Sequence, residues 1–218
     1  MLYFNTPLAL SDDEQARFQD ILDRYVHDAL LASTTPLECV RAVHRLLQQN
    51  LTYPRQKLRI EGAVSISVLP ENEEGRHFIS AYGALVNERA NSYGIARAVD
   101  AILCDPRIGI ECQLVEGCLL GDDLVPSMHL WNIVTVGHKS YHVDTAAELM
   151  TNPQAVRRTG EPGLPLEALD SDELPMIEAL LPSYRYCLVS DDVMRADHLW
   201  RKVDTSNCLS SYVSPSRR

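Results

Sequence analysis

Arg89-Ala-Asn-Ser-Tyr-Gly-Ile-Ala-Arg-Ala98 is followed further along the chain by Met128-His-Leu-Trp-Asn132 and then by Tyr141-His-Val-Asp-Thr145. The first stretch opens a helix. From about Ser92 to Cys104, Ile95, Val99, Ile102 and Leu103 recur at helical spacing, and Asp105-Pro106 stops the run. From Gly109 the period changes to two. Residues 110–117, 129–136 and 140–144 read as three consecutive strands, with Gly137-His138-Lys139 as a tight hairpin between the last two.

Nucleophilic acyl transfer needs a nucleophile, a base that takes its proton, and a group that orients the base. Ser92, His129 and Asp144 supply those residue types in that chain order. A nucleophile at a helix N-terminus gains unpaired amides and the positive end of the dipole, which favour an anion there. Neighbouring strands hold a histidine and an aspartate side by side. A hairpin centred on His138 places Asp144 opposite Asn132, with His129 on the other face of the sheet. A shift of one residue in the turn, or a bulge, brings the pair together.

Each residue also has a plainer reading. Ser92 serves as a helix N-cap, His129 as a hydrogen-bonded core histidine, and Asp144 as a strand-end turn carboxylate. Trp131 and Asn132 read as packing and hydrogen-bonding supports, while Tyr82 and Asn87 are either cleft contacts or structural residues. His138 and His142 flank the hairpin at turn and solvent-facing positions. With no third ligand at a suitable spacing, no metal site is expected. His27, His44, His77 and His198 form no constellation, and no cofactor is expected.

Outward from this centre, Ser11-Asp-Asp-Glu14 is a capping box ahead of Phe18, Ile21, Leu22, Tyr25, Val26, Ala29 and Leu30. Thr35-Pro36 with Glu38 opens a second helix that buries Val40, Val43, Leu46 and Leu47. Val64, Ile66 and Val68 alternate like a strand, and Pro70 to Gly75 reads as an acidic turn. Residues 151–183 form a Pro- and acid-rich surface excursion, Tyr184 to Val189 a further strand, and the end of the chain a frayed tail.

With 218 residues, 45% of them hydrophobic, the chain is long enough for a full core. One domain over 1–218 is expected: a helical part over 1–50, a core over 80–150, the excursion, and a C-terminal strand region over 184–213. The net charge of −10 argues against a nucleic-acid partner. No apolar run spans a membrane and no signal peptide is evident, so a cytoplasmic location is expected. The six cysteines lack paired spacing and read as reduced core thiols.

Taken together, Ala81-Tyr-Gly-Ala-Leu-Val-Asn-Glu88, Ala90-Asn-Ser-Tyr-Gly-Ile-Ala96, Gly109-Ile-Glu-Cys112, His129-Leu-Trp-Asn132 and Tyr141-His-Val-Asp-Thr145 resemble the motifs of the transglutaminase-like family of bacterial papain-fold proteins. Leu188-Val-Ser-Asp-Asp-Val-Met194 is similar to that family's C-terminal strand and turn. The resemblance covers most of the chain and implies an α+β papain-like fold, with N-terminal helices and a central helix on an antiparallel sheet. It implies His129 as catalytic base, Asp144 as its orienting acid, and Ser92 at the position of the nucleophilic cysteine. Glu88 stands where the family has glycine, Asn91 where it has an apolar residue, and Ile95 where it has an aromatic one.

A cysteine of ordinary pKa ~8.5 can form a thiolate–imidazolium pair; a serine cannot, and needs concerted proton removal. The resemblance therefore implies acyl transfer or amide hydrolysis on a peptide or protein substrate, weak or silent with serine in place. A catalytically silent relative that uses the cleft to bind a peptide or partner is the alternative. Clustered departures around position 92 fit natural drift, whereas an engineered Cys-to-Ser variant would change that position alone.

Overall fold

The computed structural model describes residues 9–54, 57–61, 64–68, 73–121, 124–151 and 184–200. Helix α1 (Asp12–Leu31) begins at the Ser11 capping box, in which the Ser11 amide donates to Glu14 Oε2 at 2.9 Å. Helix α2 (Pro36–Asn50) has the same device at Thr35 and Glu38, with proline in its first turn. Of their apolar stripes Leu22, Tyr25, Val26, Ala29, Val40, Val43 and Leu47 are buried, Phe18, Ile21 and Leu46 partly so, and Leu30 at the end of the first is exposed.

Residues 51–90 hold more structure than the sequence suggests. Strand β1 (Lys57–Glu61) pairs antiparallel with β2 (Val64–Val68). The stretch expected as an acidic turn runs from Glu73 into helix α3 (Glu73–Phe78), and α4 (Ala81–Leu85) follows. Both helices are about one turn long, too short to leave a periodic apolar signal.

Helix α5 (Ser92–Leu103) is capped by Asn91, whose Oδ1 accepts from the Tyr93 and Gly94 amides at 3.0 and 3.3 Å. Ser92 is therefore the first helical residue and does not serve as the cap. Ile95, Val99, Ile102 and Leu103 are all buried, together with Leu22, Val26, Val43, Leu47 and Val134.

Strands β3 (Glu111–Leu120), β4 (Pro126–Val136) and β5 (Lys139–Val143) form an antiparallel meander. Helix α6 (Thr145–Thr151), strand β6 (Cys187–Val189), a single turn α7 (Asp191–Met194) and strand β7 (His198–Leu199) complete it. The order β1-β2-β4-β3-β7 defines the sheet, with β5 also on β4 and β6 on β5. Only β2 and β4 run parallel among the described strands, so the chain is α+β with a mainly antiparallel sheet. The expected surface excursion from 152 to 183, and the strand region and tail beyond 200, lie outside the described residues. No helix among the described residues is long and apolar enough to cross a membrane.

The β4–β5 turn determines what the sheet presents. It is one residue tighter than a turn centred on His138: Val136 pairs with Lys139, leaving Gly137-His138 as the turn, and Gly137 takes φ +64°. Asn132 consequently faces Val143. Because side chains alternate with period two, that single step moves Asp144 to the face of His129 and Trp131.

Candidate functional site

The two faces of β4 do different work. Leu130 packs with Tyr93 and Ala96 of α5, and Asn132 on the same face donates through Nδ2 to the Ala96 carbonyl at 2.9 Å. Asn132 also contacts Cys112 Sγ at 3.3 Å, so it bolts the helix to the sheet. The opposite face carries His129, Trp131 and Ile133; the last two pack with Val115, Leu119, Tyr186 and Met194. Along β4's other edge, β2 pairs at Ser127 and β5 begins at Asn132. His129 lies in the interval between those two ladders, and Asp144 immediately follows β5.

His129 Nε2 donates to Asp144 Oδ2 at 2.6 Å, with the two residues 2% and 1% exposed. Asp144 Oδ1 accepts the Ala147 amide at 2.9 Å, so the same carboxylate caps α6 and is fixed at both oxygens. Burial alone would raise the Asp144 pKa; the charge and hydrogen bond of His129, together with His198, outweigh it and hold the carboxyl well below its ordinary range. With its Nε2 committed to Asp144, His129 retains Nδ1 as the nitrogen for a nucleophile.

His198, for which the sequence offers no constellation, is the third member. Its Nε2 donates to the same Asp144 Oδ2 at 2.9 Å, and its Nδ1 donates to Asp197 Oδ1 at 2.6 Å. Burial opposes charge on this ring as well, but Asp144 and Asp197 raise its pKa above the ordinary imidazole value. A two-residue strand carries no readable period, and only the neighbouring Asp197 hints at a paired histidine.

The expectation that His142 faces solvent is also overturned, since it is buried. Its Nδ1 accepts the indole N–H of Trp131 at 2.9 Å, which fixes the proton on Nε2, and Nε2 donates to Asp191 Oδ1 at 2.9 Å. Desolvation lowers its pKa. The alternation of β5 places residue 142 between two covered faces, which a half-exposed strand pattern does not anticipate. Trp131 stacks near His129, with ring centroids 6.1 Å apart, and its ring lies over Gly117. A Cβ at Gly117 would meet the indole at 2.7 Å and the Leu199 carbonyl at 2.4 Å.

Ser92 is 3% exposed and lies one turn before Ala96, about 6 Å back along the helix. Among the described residues no hydrogen bond joins Ser92 Oγ to His129, and the Ser92 amide donates to no described group. The Tyr82 ring packs against Phe18 and His77. Asn87 is exposed in the turn after α4. Beside it Glu88 takes φ +53°, a left-handed conformation that costs a residue with a side chain about 1 kcal/mol.

His129, Asp144 and His198 are the one group among the described residues whose potential ligand atoms cluster, within 4.8 Å. Bonds of ~2.0–2.1 Å at tetrahedral angles would set such atoms more than 3 Å apart. The separations of 2.6 and 2.9 Å are instead those of charge-assisted hydrogen bonds. The cysteines 39, 104, 112, 118 and 187 are free thiols; Cys104 is exposed, which corrects its expected place in the core.

No family model matches the chain, and no curated protein matches it. A solved structure described as "Crystal structure of a TGase" is similar to it, with a TM-score of 0.46 at 11% identity over 78% of this chain. This chain spans 40% of the length of that one.

Proposed function

We propose that the chain is a transglutaminase-like, papain-fold protein whose acyl-transfer site is residue 92, His129 and Asp144, with peptide or protein amides as substrate. One observation carries this reading: the buried 2.6 Å hydrogen bond between His129 Nε2 and Asp144 Oδ2, which orients the ring and leaves Nδ1 for a nucleophile. His129 takes the proton of the residue-92 nucleophile as it attacks the substrate carbonyl. Asp144 holds the ring and stabilises the imidazolium that forms. The Ser92 amide at the start of α5 is the donor this reading assigns to the developing oxyanion. An amine or water then releases the acyl group.

With serine at 92 the site is a weak or silent catalyst. The hydroxyl lacks a hydrogen bond to its base, and Asn91 occupies the Tyr93 and Gly94 amides. The same two observations favour the second reading, a silent relative that retains the cleft for binding a peptide.

Assays of amine incorporation and amide hydrolysis, run on the chain as it stands and on Ser92→Cys, separate the two. Activity in Ser92→Cys, abolished by a further His129→Ala, is the expected result. Silence in every form sinks the catalytic reading and leaves binding.

A further inference from the structure

His198 meets a carboxylate oxygen at each ring nitrogen, Asp144 at one and Asp197 at the other. An ionised carboxylate accepts and does not donate, so two ionised partners call for a proton on both ring nitrogens, an imidazolium. Asp197 is itself held by the Tyr186 hydroxyl and by Arg185 at 3.3 Å. The ring is wedged edge-on against Trp131 and Tyr186, at 5.1 and 5.3 Å between centroids. A second feature serves the same contact: β7 approaches β3 closely enough only because residue 117 has no Cβ.

We propose that His198 is a positioning residue of this site, a doubly donating ring clamped between Asp144 and Asp197 that fixes the carboxylate on which His129 depends. The clamp stands on geometry alone; its effect on turnover rests on the acyl-transfer reading above. Oδ2 of Asp144 has two acceptor directions, and His129 and His198 fill them both. Removing His198 leaves that oxygen half-satisfied and brings Asp144 and Asp197 face to face without a cation between them. The charged and titratable groups around the ring are Asp144, Asp197, His129, His142, Tyr186 and Arg185, with Asp191 and Arg195 beyond His142.

Long-range ¹⁵N NMR of the imidazoles tests the clamp in the unmodified chain. Both nitrogens of His198 should show protonated shifts at pH 6. A single proton on that ring, or a bound divalent metal in place of the Nε2 proton, overturns the proposal. In the Ser92→Cys background, His198→Ala should lower kcat by up to about 10²-fold with KM unchanged, as expected for a misplaced base. His198→Gln retains a donor at the Nε2 position and should restore most of that loss. A glutamine variant no better than alanine, with both pH profiles unmoved, means a merely structural histidine and also overturns it. If Ser92→Cys shows no turnover, the acyl-transfer reading falls, and the NMR result alone decides the clamp.

Discussion

Asp144 and Glu148 are buried carboxylates one helical turn apart, and they are treated in opposite ways. Asp144 has both oxygens engaged: the Ala147 amide on Oδ1, His129 and His198 on Oδ2. Glu148 accepts the Tyr186 amide through Oε1 at 2.7 Å, but His44 Nε2 stands 3.8 Å away and Oε2 has no hydrogen-bond partner among the described residues. Tyr186 ties the two together, since its carbonyl accepts the Asp144 amide. A buried charge with both oxygens bonded adds rigidity, whereas one with an unbonded oxygen adds cost. The site's precision is therefore concentrated at Asp144, and Glu148 acts as a fastener for the segment that enters β6.

The largest expected effect breaks the satisfied half of this pair. Asp144→Ala strips two imidazoles of their shared acceptor and uncaps α6, and should cost about 3–5 kcal/mol in urea denaturation. A loss below 1 kcal/mol would mean the network does not hold the fold. Next comes pH. The raised pKa of His198 gives a contribution that is complete below ~6.5 and lost as pH rises through its folded value. The depressed pKa of His142 works in reverse, complete above ~6.5 and lost as pH falls through its folded value. Asp144, also depressed, loses its share only at more acidic pH. Stability should crest near ~6.5, and His198→Gln should flatten the alkaline slope alone. An unchanged alkaline slope in that variant would place the titration elsewhere. The smallest effect belongs to the other half: Glu148→Gln keeps the acceptor for Tyr186 and should change stability by less than about 1 kcal/mol. A loss of 3 kcal/mol would show that Glu148 is as well integrated as Asp144.

What could be read in advance follows from the range of each signal. The α1 and α2 caps, the buried stripe of α5 and the meander were legible because capping boxes and periodicity are local. The facing of Asp144 was not, because one residue in the Gly137-His138 turn decides it and several turns fit the same sequence. His198 and His142 were missed for a different reason. Each has one partner 54 or 49 residues away in the chain, which only the fold brings into contact. Glu88 shows the reverse case, in which resemblance flagged a position where glycine is usual and the backbone there is left-handed.

The central claim is that residue 92 faces His129 as nucleophile faces base. Alkylation of residue 92 in Ser92→Cys by iodoacetamide, resolved by peptide mass spectrometry against Cys104 in the same chain, tests it most directly. Labelling at residue 92 should be fast at pH 6, where an ordinary thiol of pKa ~8.5 reacts slowly, and His129→Ala should slow it to the rate of Cys104. Equal rates at the two positions, indifferent to His129, would contradict the claim.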